Sequence, residues 1–464
     1  MHTQKLNWPD LLNWGRFSES PREKFDPARS PWQADYDRIV YMAAFRRLQD
    51  KTQVFPMSES DYVRTRLTHS IEVSTVARTL GTAAGAIILD KHDKDTVMNG
   101  DERVPLRRVV RPGDIGALLA AAALAHDLGN PPFGHSGEDS VRHWFDTSPA
   151  LKNVRDAMPP EQKADLHNWE GNAQGFRLLT RYKLYPNHGG MRLTYSTLAA
   201  FCKYPNRATT IDLDGVASSR KKFGFFDADS SQFAAVAKAT GLLSKKNANG
   251  TVWFRHPLAF LMEAADDICY RIVDLEDGYR VGSIPYARTA KILQKIATKV
   301  SKSRLDEIPD RVDQIAFLRA AAINELVKQV TVAFAEHEPE MLTGQFDQPL
   351  TEVIDAHLVL EEIKKCMSEL VYSQPGVVEI EAAGFTVIPG LLDLYWSAVT
   401  ATDSQPDYRR AQKIKKLIPK VYRPNITKER NRDYYQILRI VDYVSGMTDS
   451  FALSRYKALH GISL

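Results

Sequence analysis

The feature that most constrains the fold is an apolar run that ends in two residues able to carry charge. The run is "IGALLAAAALA", from Ile115 to Ala125, and His126 and Asp127 follow it directly. A helix that is apolar on nearly every side is stable only inside a protein, so the run predicts a helix in the middle of the core. It is too short to cross a bilayer. An unpaired carboxylate buried at the end of such a helix would be costly, and a bound metal ion would remove that cost.

The bend after this run supplies more residues that can take part in chemistry. In "LGNPPFGHSGED", residues 128–139, prolines and glycines stop the helix and make the backbone irregular. Neighbouring residues on a regular helix point about 100° apart, but at a helix end they can converge on one ion. The imidazole of His126 and the carboxylate of Asp127 are typical ligands for Mn²⁺, Fe²⁺, Zn²⁺ or, with more water, Mg²⁺. His135 and Glu138 are three positions apart, so they can share one face of a helical turn.

Two other predicted helices bring candidate ligands of the same kind. One follows "RTRLTHS" and carries an inward-facing stripe at helical spacing, which consists of His69, Val73, Val76, Leu80, Ala83 and Ile87. The other is "HPLAFLMEAADDICYRIVDLEDGY", with a proline in its first turn and an apolar stripe on one side. A second stripe runs beside the apolar one and is formed by Glu263, Asp266, Asp267, Tyr270 and Asp274. A satisfied core histidine and a solvated acidic face are the alternative interpretations when each helix is taken alone.

Helical periodicity dominates the whole sequence and period-two alternation is scarce, so the predicted fold class is all-α. Further helices are predicted at 311–336, 352–372 and 433–445. Loop-rich stretches are predicted at 92–113, 145–168 and 203–256. The last of these stretches is expected to be a flap or a small insertion.

The length of 464 residues allows one large hydrophobic core or two ordinary ones. We expect an N-terminal segment at 1–35, a metal-bearing catalytic core at 36–280 and a helical C-terminal region at 281–464. This division is a prediction from the distribution of motifs and helices.

Composition narrows the class of protein. The 44% hydrophobic and 25% charged residues are typical of a soluble globular chain. The first residues, "MHTQKLNWPD", lack the basic-then-apolar pattern of an export signal, so no export is expected. Cys202, Cys269 and Cys366 lie far apart, which argues against a disulfide framework and a thiolate zinc site. A reducing cytoplasm is the expected location, and the net charge of +4 is too small to identify a partner.

Several motifs in this order resemble those of the HD-domain deoxyguanosinetriphosphate triphosphohydrolases, the dGTPases. They are "RTRLTHS", "AHDLGNPPFGHSGED", "NWEGNAQG", "MEAADDICYRIVDLED" and "GMTD". The resemblance runs from about residue 36 to residue 455, and each motif is several residues long. It implies an all-helical HD fold and the hydrolysis of dGTP, or of other dNTPs, to a deoxynucleoside and intact triphosphate.

The resemblance also implies a role for each candidate residue. One divalent metal, expected to be Mg²⁺ or Mn²⁺ with Fe²⁺ and Zn²⁺ as alternatives, would be held by His69, His126, Asp127 and Asp266. The metal would polarise the α-phosphate and activate a water molecule. His135 and Glu138 would form a catalytic pair, in which Glu138 orients the imidazole and His135 handles the proton of the water or of the departing 5′-oxygen. An ordinary surface His–Glu pair is the alternative for these two.

A triphosphate carries several negative charges and therefore needs cations around it. Arg66, on the helical face of the first histidine ligand, is the first candidate, and Lys203 in "CKYP" is the second. By resemblance, Gln53 in "KTQVFP" and Asp274 bind the 3′-hydroxyl, and Tyr270 packs on the sugar where a ribose 2′-hydroxyl would clash. Asp274 also lies about two helical turns from Asp266, which is a reasonable offset between a metal and a sugar.

For the base, the resemblance points to Asp393 and Arg439, and both depart from the family pattern. Family members have a glutamate in a "GLLEIY"-like segment, whereas this chain has "GLLDLY" with Asp393. They have an arginine where this chain has Leu438, and Arg439 lies one position further on. One position on a helix turns a side chain by about 100°. The order of preference among the four dNTPs is therefore left open.

Residues 408–432, "YRRAQKIKKLIPKVYRPNITKERNR", are dense in lysine and arginine and contain two tyrosines. Such a patch can bind single-stranded nucleic acid, and the resemblance implies single-stranded DNA as an allosteric ligand and a hexameric homo-oligomer. A solvated amphipathic helix and a contribution to a neighbouring subunit's pocket are the alternatives. No membrane partner is expected. Two rival functions remain, another HD phosphohydrolase such as a cyclic-nucleotide phosphodiesterase, and a nucleotide- or DNA-binding regulator with weak turnover.

Overall fold

The computed structural model describes residues 5–17, 24–54, 63–181, 190–215, 217–247, 250–423 and 432–462. Within these ranges α-helices dominate, and the strands form two small antiparallel hairpins. The predicted all-α fold class is confirmed.

The helices of the N-terminal half surround the segment that holds the HD motif. They are α1 (Trp8–Leu11), α2 (Pro31–Val40), α3 (Ala43–Arg47), α4 (Arg66–Lys91), α5 (Leu106–Val109), α6 (Pro112–Leu124), α7 (Gly134–Thr147), α8 (Lys152–Ala157), α9 (Pro160–His167), α10 (Gly171–Arg181), α11 (Tyr195–Phe201) and α12 (Ser230–Ala239). The hairpins are β1 (Thr96–Asn99) with β2 (Glu102–Pro105), and β3 (Ser244–Asn247) with β4 (Gly250–Trp253). In register, Thr96 lies opposite Pro105 and Ser244 lies opposite Trp253.

The helices of the C-terminal half include the longest ones. They are α13 (Pro257–Arg280), α14 (Tyr286–Ile296), α15 (Lys302–Asp306), α16 (Arg311–Thr343), α17 (His357–Met367), α18 (Pro375–Thr400), α19 (Tyr408–Leu417), α20 (Arg432–Ser445) and α21 (Asp449–Leu459). Short 3₁₀ turns lie at Leu48–Asp50, Pro149–Leu151, Ala208–Thr210, Ser218–Arg220, Asp227–Asp229, Leu350–Glu352 and Lys420–Tyr422. A π-helical turn, Ser368–Tyr372, follows α17.

Helices α4 and α6 form the closest helix pair at the centre of the molecule. Glycines make this approach possible: a Cβ atom on Gly116 would lie 2.2 Å from Thr82 Oγ1, and one on Gly81 would lie 2.9 Å from the Leu119 Cβ. Helix α6 is buried on all sides from Leu118 to Leu124, as the apolar run predicts. The pair therefore provides a rigid base for the residues at the C-terminal end of α6.

Helix α13 packs against both members of this pair and also against α16. Pro257 is its first residue, and the His256 side chain caps the helix by accepting a hydrogen bond of 3.1 Å from the Leu258 N–H. The predicted helix with two stripes is confirmed, and Asp266 of its polar stripe faces the end of α6.

The buried side chains form two hydrophobic cores. The first core includes the inner faces of α4, α6, α13 and α16, for example Val73, Leu119, Leu261 and Leu318. The second core joins α7 to the C-terminal helices α18 and α20 and includes Phe133, Trp144, Leu392 and Ile437. The C-terminal helices thus pack on α7, although more than 200 residues separate them in the chain. The division into 1–35, 36–280 and 281–464 stays a prediction.

The predicted loops contain more regular structure than expected. The stretch 92–113 holds β1, β2 and α5, the stretch 145–168 holds α8 and α9, and the stretch 203–256 holds α12 with the second hairpin. Elements of four to eight residues are too short to show a period in the sequence. Helix α12, in contrast, shows buried Phe233, Val236 and Ala237 at helical spacing, a period that the prediction of a loop-rich stretch did not register.

The helices predicted at 311–336 and 433–445 are confirmed, and α16 continues to Thr343, where Gly344 ends it with φ 70°. The helix predicted at 352–372 is shorter, because 3₁₀ and π turns flank α17. Among the residues that the structure describes, no helix has both the length and the apolar character needed to cross a membrane.

Candidate active site

The end of α6 presents its histidine as the sequence predicts. The helix ends at Leu124, and residues 125–129 continue as turns, so His126 and Asp127 leave the regular helix. His126 Nδ1 lies 2.7 Å from the carbonyl oxygen of Ala123. A carbonyl oxygen can only accept, so Nδ1 carries a proton and Nε2 is the nitrogen that faces Asp266. The ring is held in the orientation that a metal ligand needs.

Three of the predicted ligands converge on one point. His69 Nε2 lies 3.2 Å from Asp266 Oδ1, and His126 Nε2 lies 3.3 Å from the same oxygen. One ligand atom from each of the three residues lies within 4.8 Å of the other two. They come from α4, from the turn after α6 and from α13, so the packing of these helices creates the cluster.

Asp127 lies beside this cluster. Its Oδ1 is 3.5 Å from His126 Nε2 and accepts a hydrogen bond of 3.0 Å from Arg66, while its buried Oδ2 has no hydrogen-bond partner among the described residues. Burial disfavours the carboxylate, but the charges of Arg66 and His126 outweigh it and lower the pKa of Asp127 to about 2. A buried, ionised oxygen with no donor nearby is suited to a cation.

Asp266 carries a second basic neighbour. Lys203 Nζ donates a hydrogen bond of 2.7 Å to Asp266 Oδ2, and the lysine side chain is only 11% exposed. Burial opposes ionisation, but Lys203 and His126 lower the pKa of Asp266 well below its usual value. The two nitrogen donors and the ionised oxygens form a donor set that fits Mn²⁺, Fe²⁺ or Zn²⁺, or Mg²⁺ with added water.

The predicted catalytic pair lies on the first turn of α7. Phe133 (φ 63°) and Gly134 (φ 59°) are both left-handed, and they turn the chain so that the helix begins beside the metal cluster. For a residue such as phenylalanine this conformation costs on the order of 1–3 kcal/mol. His135 Nδ1 lies 3.1 Å from Glu138 Oε2, and Glu138 Oε1 accepts a hydrogen bond of 2.8 Å from the Gly171 N–H.

The electrostatics around Glu138 keep it charged. Burial raises its pKa, but the hydrogen bond with His135 and the charge of Lys222 outweigh burial and lower the pKa to about 2. Glu138 can therefore orient the imidazole and stabilise its cation throughout the neutral range.

One cavity of about 420 Å³ contains the cluster and the catalytic pair. Of the predicted site residues, its walls include Gln53, Arg66, His69, His126, Asp127, His135, Glu138, Lys203, Asp266 and Tyr270. Asp274 lies behind the wall, fully buried on α13. The structure thus brings ten of the thirteen predicted residues into the wall of one cavity.

The sugar-binding residues predicted by resemblance have unused polar atoms. Gln53 Oε1 and both carboxyl oxygens of Asp274 are buried without a hydrogen-bond partner among the described residues. Burial and the charge of Asp277 raise the pKa of Asp274 well above its usual value. The rings of Tyr270 and Tyr372 stack with centroids 6.3 Å apart beside them.

The cavity also contains residues that the sequence interpretation missed. Lys222 Nζ donates a hydrogen bond of 3.0 Å to buried Glu170, and Asn172 donates one of 2.7 Å to the same oxygen. Glu170 and Asn172 belong to the motif "NWEGNAQG", and Lys222 belongs to "SSRKKFGFF". The sequence therefore marked these segments, but it did not indicate what the three side chains do. Burial and the charge of Glu138 raise the pKa of Glu170. Glu381, exposed on α18, lines the wall next to Val377.

Asp393 and Arg439 do not line this cavity. Asp393 Oδ1 accepts hydrogen bonds of 2.7 Å from Trp144 Nε1 and 2.8 Å from the Ser148 hydroxyl, and Arg439 donates one of 2.8 Å to the Val421 carbonyl oxygen. Both side chains hold neighbouring helices together. Within one chain, they do not reach a base bound in the cavity, because Asp393 faces α7 and Arg439 faces the 3₁₀ turn after α19.

Comparison with known proteins finds phosphohydrolases, in agreement with the resemblance of the motifs. Residues 354–458 match the family model described as "Phosphohydrolase-associated domain". The chain is 42% identical to a "Deoxyguanosinetriphosphate triphosphohydrolase-like protein" of Synechocystis sp., over 99% of this chain and 100% of that protein. It is 34% identical to a protein of the same description from Listeria monocytogenes, over 99% and 100%. It is 29% identical to a "Deoxyguanosinetriphosphate triphosphohydrolase" of Klebsiella pneumoniae, over 99% of both chains.

Proposed function

The chain belongs to the deoxyguanosinetriphosphate triphosphohydrolase family of phosphohydrolases, and on this premise we propose that it hydrolyses dGTP to deoxyguanosine and inorganic triphosphate. The observation that carries the proposal is the position of the pair His135–Glu138 in the same cavity as the cluster His69–His126–Asp266. Such a cavity offers a place for a cation, a proton carrier and a polyphosphate at once.

We propose that the metal ligands are His69, His126, Asp127 and Asp266. The support is their donor set, the fixed tautomer of His126 and the partnerless oxygen of Asp127. When bound, a divalent cation supplies positive charge at the α-phosphate and lowers the pKa of a water molecule. Mg²⁺ and Mn²⁺ are the first choices, and the identity of the metal is left to the test below.

His135 is assigned the proton transfer. Its ring is fixed at Nδ1 by Glu138, which leaves Nε2 to take a proton from the attacking water or give one to the 5′-oxygen. Ionised Glu138 stabilises the imidazolium form during this transfer, and the Gly171 N–H holds Glu138 in place.

Three buried or half-buried cations surround the place where a triphosphate would lie. Arg66 and Lys203 are anchored to metal-site carboxylates, and Lys222 is anchored to Glu170. Because each cation is already held by a carboxylate, little side-chain entropy is lost when it also contacts phosphate oxygens. Arg66 can bind two phosphate oxygens at once, whereas the lysines act as point charges.

We propose that Gln53 and Asp274 bind the 3′-hydroxyl of the sugar. Their support is the set of buried polar atoms that lack a partner, since such atoms are rarely left unsatisfied in a functional state. Tyr270 would then lie against the sugar and exclude a 2′-hydroxyl by contact. A deoxynucleotide would be preferred over a ribonucleotide on steric grounds.

Three other expectations remain predictions. The hexameric assembly depends on the resemblance alone, single-stranded DNA as an allosteric ligand depends on the resemblance and the basic stretch 408–432, and the cytoplasmic location depends on the spacing of the cysteines. Part of the basic stretch 408–432, residues 424–431, lies outside the described residues. The described part exposes Arg409, Arg410, Lys413 and Lys416 on α19, while Ala411 and Ile414 pack inward. The amphipathic-helix interpretation and the DNA interpretation are both compatible with this face.

Product analysis tests the proposal. Each of the four dNTPs is incubated with Mg²⁺ or Mn²⁺, with and without a short single strand, and the products are separated by ion exchange. We expect inorganic triphosphate and a deoxynucleoside, with dGTP turned over fastest. Release of pyrophosphate and monophosphate would instead identify a different phosphohydrolase. A rate no higher than that of His126→Ala would identify a binding protein.

A further inference from the structure

Asp449 joins three distant parts of the chain near the candidate active site. It is the first residue of α21 and is 2% exposed. Its Oδ1 accepts a hydrogen bond of 3.0 Å from the Phe133 N–H. Its Oδ2 accepts two hydrogen bonds from Thr52, one of 2.9 Å from the backbone N–H and one of 2.6 Å from the hydroxyl. All three donors are thereby satisfied by one carboxylate.

The Phe133 N–H is the point where the chain enters its left-handed turn. Phe133 and Gly134 both have positive φ, and His135 follows directly as the second residue of α7. A left-handed phenylalanine is unfavourable and persists only where its surroundings fix it. The Phe133 ring is fixed by burial in the second core, and the Phe133 backbone is fixed by Asp449.

His135 depends on this turn more than its neighbours do. Its side chain is 81% exposed, so no packing holds the imidazole, and its described contact is Glu138 on the same helix. The distance from His135 to the metal ligands is therefore set by the backbone at 133–135. Among the described residues, no hydrogen bond or ion pair joins Asp449 to the proposed metal ligands, and its link to their elements is the effect of its charge on Arg66 of α4.

Lys51 adds a second tie at the same junction. Its side chain is 3% exposed, and its Nζ donates hydrogen bonds to the carbonyl oxygens of Asn130 and Ser445. Asn130 precedes the left-handed turn and Ser445 is the last residue of α20. Lys51 and Asp449 thus hold the segment 130–133 from both ends.

We propose that Asp449 is a positioning residue, which fixes the left-handed turn and so holds His135 at the distance from the metal ligands that proton transfer needs. This inference depends on the proposed function for the role of His135, but the tie itself does not. A role of this kind affects the rate of the chemical step more than substrate binding, since misplacement by about 1 Å can cost about 100-fold in rate.

Two measurements on Asp449→Ala test the proposal, with dGTP and Mn²⁺ as the probe. Hydrogen–deuterium exchange by mass spectrometry should show faster exchange in peptides covering 130–140 and unchanged exchange in peptides from α4 and α6. Steady-state kinetics should show kcat lowered about 100-fold with KM within about twofold of wild type. Asp449→Asn keeps one acceptor oxygen for the Phe133 N–H, so its kcat should fall by only about 10-fold.

Ser450→Ala is the matched control. Ser450 donates a hydrogen bond of 2.9 Å to Asp50, which joins the same two chain segments on the exposed side without contact to Phe133. This variant should match wild type in both measurements. If Asp449→Ala loses its helical circular dichroism, the variant is unfolded. The exchange and kinetic measurements on Asp449→Asn then test the proposal in its place.

Unchanged exchange at 130–140, or unchanged kcat in an active enzyme, would overturn the proposal. A KM that rises as much as kcat falls would also overturn it, because Asp449 would then support binding in general. If wild type releases no triphosphate, the proposed function fails while the exchange measurement still decides whether Asp449 holds the turn.

Discussion

His135 and Glu138 form a pair in which exposure is divided unequally, with 81% of the histidine side chain accessible and 4% of the glutamate side chain. The buried partner is the glutamate, and its pKa of about 2 keeps it ionised at neutral pH. An exposed imidazole can reach substrate and solvent, while a buried carboxylate fixes its direction. This division of roles is what proton transfer at one atom requires.

His135→Ala should therefore lower kcat for dGTP by about 100-fold or more, with little change in nucleotide affinity. The reason is that the imidazole makes no described contact other than Glu138 and so contributes little to the shape of the cavity. Steady-state kinetics and equilibrium binding of a non-hydrolysable dGTP analogue measure the two effects. His143→Ala, on the exposed side of the same helix, is the control. An affinity that falls while kcat holds would make His135 a binding residue.

We expect Glu381, an acidic side chain of the cavity wall, to contact the base. It lines the cavity beside Val377 and Ile380, on the helix that follows Tyr372, and it has no ion-pair partner among the described residues. The Watson–Crick edge of guanine presents two adjacent N–H donors, which a carboxylate can accept together, whereas adenine presents an acceptor there.

Glu381→Gln should lower kcat/KM for dGTP by about 10-fold and leave that for dATP unchanged or higher. Competition between the two nucleotides, read from the deoxynucleosides released, measures this preference. Glu379→Gln, an exposed neighbour outside the cavity wall, should leave the preference unchanged. Equal losses for both nucleotides would exclude Glu381 from base recognition.

At this scale the cluster of candidate ligands His69, His126 and Asp266 was predictable, and several other site residues were not. His126 and Asp127 stand out because a charged pair at the end of an apolar helix needs an explanation. Lys222 lies in a loop without periodicity, so nothing in the sequence indicated its contact with Glu170. Asp449 belongs to the quoted motif "GMTD", but its bond to Phe133 crosses 316 residues of chain, a separation that sequence patterns do not register.

The helix pair α4–α6 sets the spacing of the first two ligands. His69 lies near the beginning of α4 and His126 lies just beyond the end of α6, so the distance between their rings, 5.3 Å between centroids, follows from how closely the helices pack. Gly116 permits that approach, because a Cβ atom there would lie 2.9 Å from the Arg78 carbonyl oxygen as well as against Thr82.

Gly116→Ala should lower the free energy of unfolding by about 1–3 kcal/mol and should weaken Mn²⁺ binding, since the added methyl group forces the helices apart. Urea unfolding and isothermal titration with Mn²⁺ measure the two effects. Gly113→Ala, on the same helix with no atom within 4 Å of the added methyl group, is the control. This variant should be neutral or more stable by up to about 1 kcal/mol. Equal stability of the two variants would show that the contact is not tight.

Element types and long helices were predictable because their periodicity extends over several turns, as in α13 and α16. The hairpins β1–β2 and β3–β4 were not, because four-residue strands give too short an alternation. The orientation of α7 could not be predicted from the sequence either, because it depends on two consecutive left-handed residues, Phe133 and Gly134. Sequence rules reserve that conformation for glycine, so tertiary packing decided it.

At the scale of the whole molecule, the candidate active site lies where the two hydrophobic cores meet. The cluster His69–His126–Asp266 belongs to first-core elements, whereas α7 with His135 packs against the C-terminal helices of the second core. The candidate metal cluster and the proposed proton carrier thus lie on separately packed parts of one chain. Their relative position depends on the polar side chains that bond across the boundary between the cores. One of them is Lys51, the most deeply buried lysine among the described residues.

Lys51 should make the stability of the molecule depend on pH above neutrality. Burial lowers the pKa of its ammonium from 10.5 to about 7, although the charge of Asp449 opposes this effect. Between these two values the unfolded chain binds a proton that the folded chain does not, so the contribution to stability rises with pH. The neutral amine keeps two N–H groups, one for each of the carbonyl oxygens of Asn130 and Ser445.

Urea unfolding at pH 7, 8 and 9 compares wild type with Lys51→Met and with Lys152→Met, which removes an exposed ammonium. The free energy of unfolding of wild type should gain on that of Lys51→Met as pH rises, by up to about 1.4 kcal/mol per pH unit, whereas Lys152→Met should follow wild type. Parallel curves for all three proteins would show that Lys51 is charged in the folded state.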